Sequence, residues 1–237
     1  MMAQPVRPYP IHILQELLNQ NKSWATRVEQ RDPGFFRRSA ESQHPKVLWI
    51  GCCDSREPES VIMDCMPGQI FTHRNIANQV QLNDPNGISA ITYAVAELGV
   101  EHIVIGGHTR CGGVAVCLDH APDKAAAFNP VKASYGATEP HETATWPPPY
   151  PLDVWLTPLR HLAETQPHPP TVLELVKLNV KQQVENIVKT EVVRNHWAGT
   201  GKGSLIGVHG WMYELETGVL HDLHYSIYGP NGPGPRE

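Results

Sequence analysis

Apolar residues recur at helical spacing from Ile11 to Glu29, where Ile11, Leu14, Leu17, Leu18, Trp24 and Val28 stand among polar neighbours. The spacing predicts an amphipathic helix, or two consecutive helices broken near Asn21 to Ser23. Its apolar face needs a docking surface, on its own sheet or on a partner subunit. The period then changes. Lys46-Val47-Leu48-Trp49-Ile50-Gly51 reads as a buried strand, Gln69 to His73 as a second, and Val100 to Gly107 as a third ending in two glycines. A short helix over Pro58 to Met63, a turn at Pro67-Gly68 and a helix over Pro85 to Leu98 separate them, and another helix starts near Cys111. Helical spacing returns over Pro151 to Glu164 and Thr171 to Val193. Leu205 to Tyr213 reads as a strand, Glu216-Thr217-Gly218 as a turn and Val219 to Ile227 as its hairpin partner.

Strands alternating with helices, closed by a hairpin, predict an α/β fold. The sheet is mainly parallel with an antiparallel edge, flanked by helices, behind an N-terminal helical arm. The reading is one domain over 1–237, with the arm over 1–40. Residues 121–150, rich in Ala, Pro, Thr and His, keep no amphipathic period and read as a surface excursion.

The chain has 237 residues, 41% of them hydrophobic, enough for a real core. A net charge of -5 argues against a nucleic-acid surface. No apolar run is long enough for a transmembrane helix, so no membrane partner is expected. Met1 to Pro10 lacks the apolar stretch of a secretory signal, and Arg7 alone is a thin basis for a mitochondrial presequence. The 5 cysteines are an odd number with two adjacent, a poor disulfide framework that suits a reducing, cytoplasmic location.

Candidate chemistry gathers at two strand ends. The first strand runs into Cys52-Cys53-Asp54-Ser55-Arg56, the third into His108-Thr109-Arg110-Cys111-Gly112. Open α/β sheets place their chemistry at that carboxyl edge. Two thiolates and an imidazole select zinc, and three ligands leave one tetrahedral position for chemistry. Either Cys52 or Cys53 could ligate on chemistry alone, but alternation points them to opposite faces, so only one should be used. Asp54 and Arg56 can pair bidentately, which keeps the carboxylate ionised.

Cys52-x-Asp54-Ser55-Arg56 followed by His108-x-x-Cys111 resembles the β-class carbonic anhydrases. Val47 to Gly51, Arg74-Asn75-Ile76-Ala77-Asn78, Ile91 to Val95, Leu178-Asn179-Val180 and Val208-His209-Gly210-Trp211 extend the resemblance along nearly the whole chain. The resemblance implies one zinc per chain on Cys52, His108 and Cys111, and Asp54 and Arg56 as a catalytic dyad. It implies Gln43, Phe71, Ile76, Tyr93 and Gly112 around a small substrate pocket, with Gln43 serving a neighbouring subunit in a homodimer or dimer of dimers. The activity it implies is reversible hydration of carbon dioxide to bicarbonate and a proton by zinc-bound hydroxide. Hydrolysis of COS or CS2 on the same scaffold is the alternative enzyme reading, and a zinc-stabilised binding module closed by Asp54 is the non-enzyme one. Two departures stand out: Cys53, where many relatives carry Ser or Ala, and the length of the 121–150 excursion.

Overall fold

The computed structural model describes residues 12–118, 151–230 and 232. The chain divides into two compact units, Met1–Gln43 and His44–Glu237. The 121–150 excursion lies outside the described residues.

The first unit holds α1 (His12–Arg31) and α2 (Phe35–Ser39). α1 runs unbroken through Asn21 to Ser23. Neither Gly nor Pro occurs there, and the hydroxyls of Ser23 and Thr26 bond back to the carbonyls of Asn19 and Lys22. Trp24 meets Phe36 edge-on at 5.6 Å and ties the two helices together. Ile13, Leu14, Leu17 and Leu18 are 54–62% exposed, leaving an apolar stripe on α1 uncovered.

The second unit is built on one sheet. In chain order it comprises β1 (Val47–Cys52), α3 (Glu59–Ile62), β2 (Ile70–Asn75), α4 (Pro85–Thr92), β3 (His102–His108) and α5 (Gly112–Leu118). After the excursion come α6 (Pro151–Glu164), α7 (Val172–Lys189), α8 (Glu191–Trp197), β4 (Gly207–Glu214) and β5 (Val219–Tyr228). The strand order is β2-β1-β3-β4-β5, parallel except for the β4–β5 hairpin, as the alternation of elements predicts. β2 extends two residues beyond its expected end at His73, and β4 begins at Gly207 rather than Leu205. The helix expected over Pro85 to Leu98 is continuous, but its last stretch, Tyr93–Leu98, widens into a π-helix before Gly99 at φ 67°. Asp84 caps its start, accepting from the backbone N–H groups of Asn86 and Gly87 at 3.0 and 3.1 Å.

α7 crosses β3, β4 and β5. Its Val180, Val184 and Ile187 join Leu48, Ile50, Ile103, Ile105 and Val208 in the main core. Thr171 and Glu174 form a reciprocal capping box that fixes where α7 begins. A second apolar cluster joins α5, α6 and the start of α7 to the sheet's carboxyl edge. β1 lies between β2 and β3, so successive connections leave it in opposite directions. The carboxyl ends of β1 and β3 therefore flank a topological switch point, where open sheets form a crevice.

Candidate metal centre

That crevice receives Cys52 from the end of β1, His108 from the end of β3 and Cys111 from the turn into α5. All three are buried, and their donor atoms lie within 4.8 Å of one another. The Cys52 and Cys111 sulfurs are 4.0 Å apart. Two sulfurs bound at about 2.3 Å to one tetrahedral ion would stand about 3.8 Å apart, so the spacing fits a shared cation. His108 Nδ1 donates to the Thr109 carbonyl at 2.8 Å, which leaves Nε2 as the unprotonated nitrogen. That Nε2 is buried with no hydrogen-bond partner, although it belongs to a fully buried ring. Such an orphaned acceptor beside two sulfurs is what a metal-ligating imidazole looks like before its ion is counted.

Backbone N–H groups of Asp54 and Ala77 act to lower the Cys52 thiol, and those of Gly113 and Val114, in the first turn of α5, act to lower Cys111. The hydrogen bond with the Cys111 thiol is the main reason that the Cys52 thiol is lowered, against the opposing effect of burial. The same hydrogen bond, then burial, raises Cys111. Cys53 is exposed, on the other side of the chain, so the structure gathers Cys52 rather than Cys53.

Asp54 sits at the rim of the cluster. Arg56 donates to both of its oxygens, from Nε to Oδ1 at 2.9 Å and from Nη2 to Oδ2 at 2.7 Å. Its backbone N–H adds a third bond to Oδ1 at 3.0 Å. These bonds hold the Asp54 carboxyl well below the usual carboxylate range. Oδ2 also lies 3.8 Å from His108 Nε2, so an ionised carboxylate oxygen faces the donor set.

Two residues of this site were not singled out from the sequence. Arg74 donates to the carbonyls of Cys52 and Asp54 at 2.8 and 2.7 Å, fixing the loop that carries both. Glu57 is fully buried, and its Oε2 accepts from the Cys52 backbone N–H at 3.2 Å. Burial, the largest effect, pushes its carboxyl up to about 8. Nothing in the string Arg56-Glu57-Pro58 marks that glutamate as buried; only the return of the loop onto β1 does.

Of the expected pocket residues, Phe71 and Tyr93 pack together with ring centroids 5.8 Å apart. Phe71 is half-buried, whereas Ile76 and Tyr93 are exposed. Ile76 leans on α5, where a Cβ at Gly113 would fall 2.9 Å from its Cγ2. Gly112 opens α5, and space around it is free: a Cβ there would meet nothing within 4 Å. Gln43 is exposed at the end of the first unit.

The carbonic anhydrase family model matches residues 47–220, which include every member of this cluster. The chain belongs to the β-carbonic anhydrase family. A carbonic anhydrase of Emericella nidulans is 34% identical over 214 residues, covering 90% of this chain and 85% of the relative. One of two tetrameric β-carbonic anhydrases of Sordaria macrospora is similar in structure, with a TM-score of 0.70 and 32% identity over 91% of this chain and 98% of its own. A β-carbonic anhydrase of Aspergillus fumigatus gives a TM-score of 0.70 at 34% identity, covering 90% and 91%. This β-carbonic anhydrase is thus an enzyme whose general reaction is the hydration of carbon dioxide.

Proposed function

We propose that this chain hydrates carbon dioxide reversibly on a zinc ion held by Cys52, His108 and Cys111, with Asp54 and Arg56 as the catalytic dyad. The carrying observation is the ionised Asp54 oxygen 3.8 Å from an unpartnered His108 Nε2, beside two sulfurs at 4.0 Å. Two thiolates and one neutral imidazole balance the charge of a divalent ion, and the donor set suits zinc.

Zinc bound there supplies a Lewis acid that makes water acidic enough to serve as a nucleophile near neutral pH. The residues do the rest. Arg56 keeps Asp54 ionised and holds both carboxylate oxygens in one plane. Asp54, acceptor-only in that state, takes a hydrogen bond from the nucleophilic water and so aims the oxygen lone pair at the substrate carbon. Thr109 O holds the His108 ring in one tautomer. Phe71, Ile76 and Tyr93 offer a neutral, linear substrate an apolar wall, with Gly112 leaving room beside the cluster. Gln43 of a second subunit supplies a hydrogen bond to a substrate oxygen.

The exposed stripe of α1 supports assembly into a homodimer or a dimer of dimers, because an uncovered apolar face of this kind favours a partner subunit. The test of the catalytic reading is stopped-flow hydration of carbon dioxide across pH, on protein of measured zinc content. Turnover that scales with zinc, at about one ion per chain, is expected. Active protein without zinc, or zinc protein that turns over COS or CS2 but not carbon dioxide, would overturn it.

A further inference from the structure

Ala77 and Asn78 lie side by side in left-handed backbone conformation, at φ 60° and 43°, immediately after β2. Two consecutive residues with side chains do not hold that shape unaided. Both are buried, and Ala77 packs in the apolar cluster that contains Cys52 and Cys111. The turn also sets Ala77 and Ile76 against Gly113 of α5, two residues after Cys111.

What holds the turn comes from α7. Asn179, Gln183 and Asn186 share one face of that helix at helical spacing. Asn179 Nδ2 donates to the Ala77 carbonyl at 2.8 Å. Gln183 Nε2 donates to Asn179 Oδ1 at 2.8 Å, and Gln183 Oε1 accepts from the Val80 N–H at 2.8 Å. Asn186 Nδ2 donates to the Val80 carbonyl at 2.9 Å and to Gln183 Oε1 at 3.1 Å. Asn179 and Gln183 are buried, at 1% and 5% exposure. Trp155 of α6 adds a bond from Nε1 to the Ile76 carbonyl at 2.8 Å. On the opposite side, a Cβ at Gly113 would stand 3.2 Å from the Ala77 Cβ, so α5 closes against the turn only because residue 113 is glycine.

We propose that Asn179, oriented by Gln183, is a positioning residue of the metal centre: by holding the Ala77–Asn78 turn left-handed, it keeps Ala77 seated in the buried cluster that contains Cys52 and Cys111. It touches neither substrate nor metal. It acts through the packed wall around the two cysteines, and such outer contacts set how firmly a ligand holds its ion. The inference rests on the reading of Cys52 as a ligand.

The experiment compares full-length wild type, Asn179→Ala and the double variant Asn179→Ala/Ala77→Gly. Each is loaded with zinc for chelator-driven release, and with cobalt(II) for the thiolate-to-cobalt charge-transfer band. Asn179→Ala should release zinc about tenfold faster or more and shift the band. Ala77→Gly adopts the left-handed shape without steric cost. It should therefore return release and spectrum toward wild type even though Asn179 is absent. If Asn179→Ala lowers the melting temperature but leaves release rate and spectrum unchanged, the residue is structural only and the inference fails. It fails equally if the double variant is not rescued. Should Asn179→Ala not fold, Asn179→Ser, whose shorter side chain cannot span to the Ala77 carbonyl, carries the same comparison and the same criteria. Wild type that binds neither metal, or Cys52→Ser that keeps both, would instead refute the ligand reading itself.

Discussion

The indole of Trp49 fills the space that Gly106 leaves open: a Cβ at position 106 would fall 1.9 Å from Trp49 Cζ2. The two residues lie on adjacent strands, β1 and β3, which end at Cys52 and His108 of the candidate metal cluster. Trp49 is fully buried and meets Trp211 of β4 edge-on, with ring centroids 6.4 Å apart. Gly106→Ala should therefore destabilise the fold by about 3 kcal/mol, the upper range for overpacking a dense core. Urea unfolding measures it. A loss under about 0.5 kcal/mol would mean that the ring moves aside freely.

The cysteines should divide sharply. Cys52→Ser and Cys111→Ser each remove a soft donor from the buried cluster and should leave the purified protein without stoichiometric zinc. Cys53→Ser, at an exposed position, should keep it. Elemental analysis of the three variants decides; zinc lost from Cys53→Ser and kept in Cys52→Ser would reverse the ligand assignment.

Arg56→Ala removes both guanidinium bonds to Asp54 and leaves only the backbone N–H of residue 56 on Oδ1. On the proposed zinc site, the carboxylate would then have the metal as its nearest competing charge and would no longer aim a water correctly. Hydration of carbon dioxide at neutral pH should fall about 100-fold with zinc retained. Near wild-type turnover would reduce the pair to a structural ion pair.

At the opposite end of the sheet, His102 Nδ1 meets His209 Nε2 at 3.0 Å, and His209 Nδ1 meets Ser226 Oγ at 2.9 Å. Burial, then the neighbouring His102, lowers the His209 pKa, with Asp222 acting against them. The unfolded chain takes up a proton at this residue near pH 6.5, where the folded chain does not. Stability from this group is thus complete above about pH 6.5 and is lost as pH falls through the lower folded value. His209→Gln should flatten the decline in urea midpoint between about pH 7 and 5. Parallel curves for the two proteins would refute the linkage.

Charges placed on the exposed α1 stripe, as in Leu14→Glu/Leu18→Glu, should shift the protein to smaller species in light scattering. An unchanged mass would remove α1 from the interface.

Much of this was legible in the chain. β1 and β3 announce themselves as apolar runs that break at a glycine next to a thiol or an imidazole, and parallel pairing puts those breaks side by side. The choice between Cys52 and Cys53 needed more than chemistry, because adjacent residues differ only in which face they take. The α7 ladder escaped for a physical reason: periodicity counts polar positions as solvent-facing. Asn179 and Gln183 instead face inward, onto backbone groups with no strand partner. Glu57 escaped in the same way, as a carboxylate that a local reading assigns to water. The continuity of α1 depended on the mild cost of Asn, Lys and Ser inside a helix, which does not amount to a break.

The side-chain ladder from α7 has a consequence for how the chain tolerates changes of length. In a sheet, an added residue slips the register and finds new backbone partners. Between 76 and 80 the partners include side chains fixed on α7 and Trp155 of α6, so an inserted or deleted residue loses them. Two residues further on, Leu82 and Asn83 are exposed, before the Asp84 cap resets the chain into α4. Length variation in this connection is therefore confined to 82–83, and a peptide tag or reporter loop placed there would leave the Cys52, His108 and Cys111 cluster untouched.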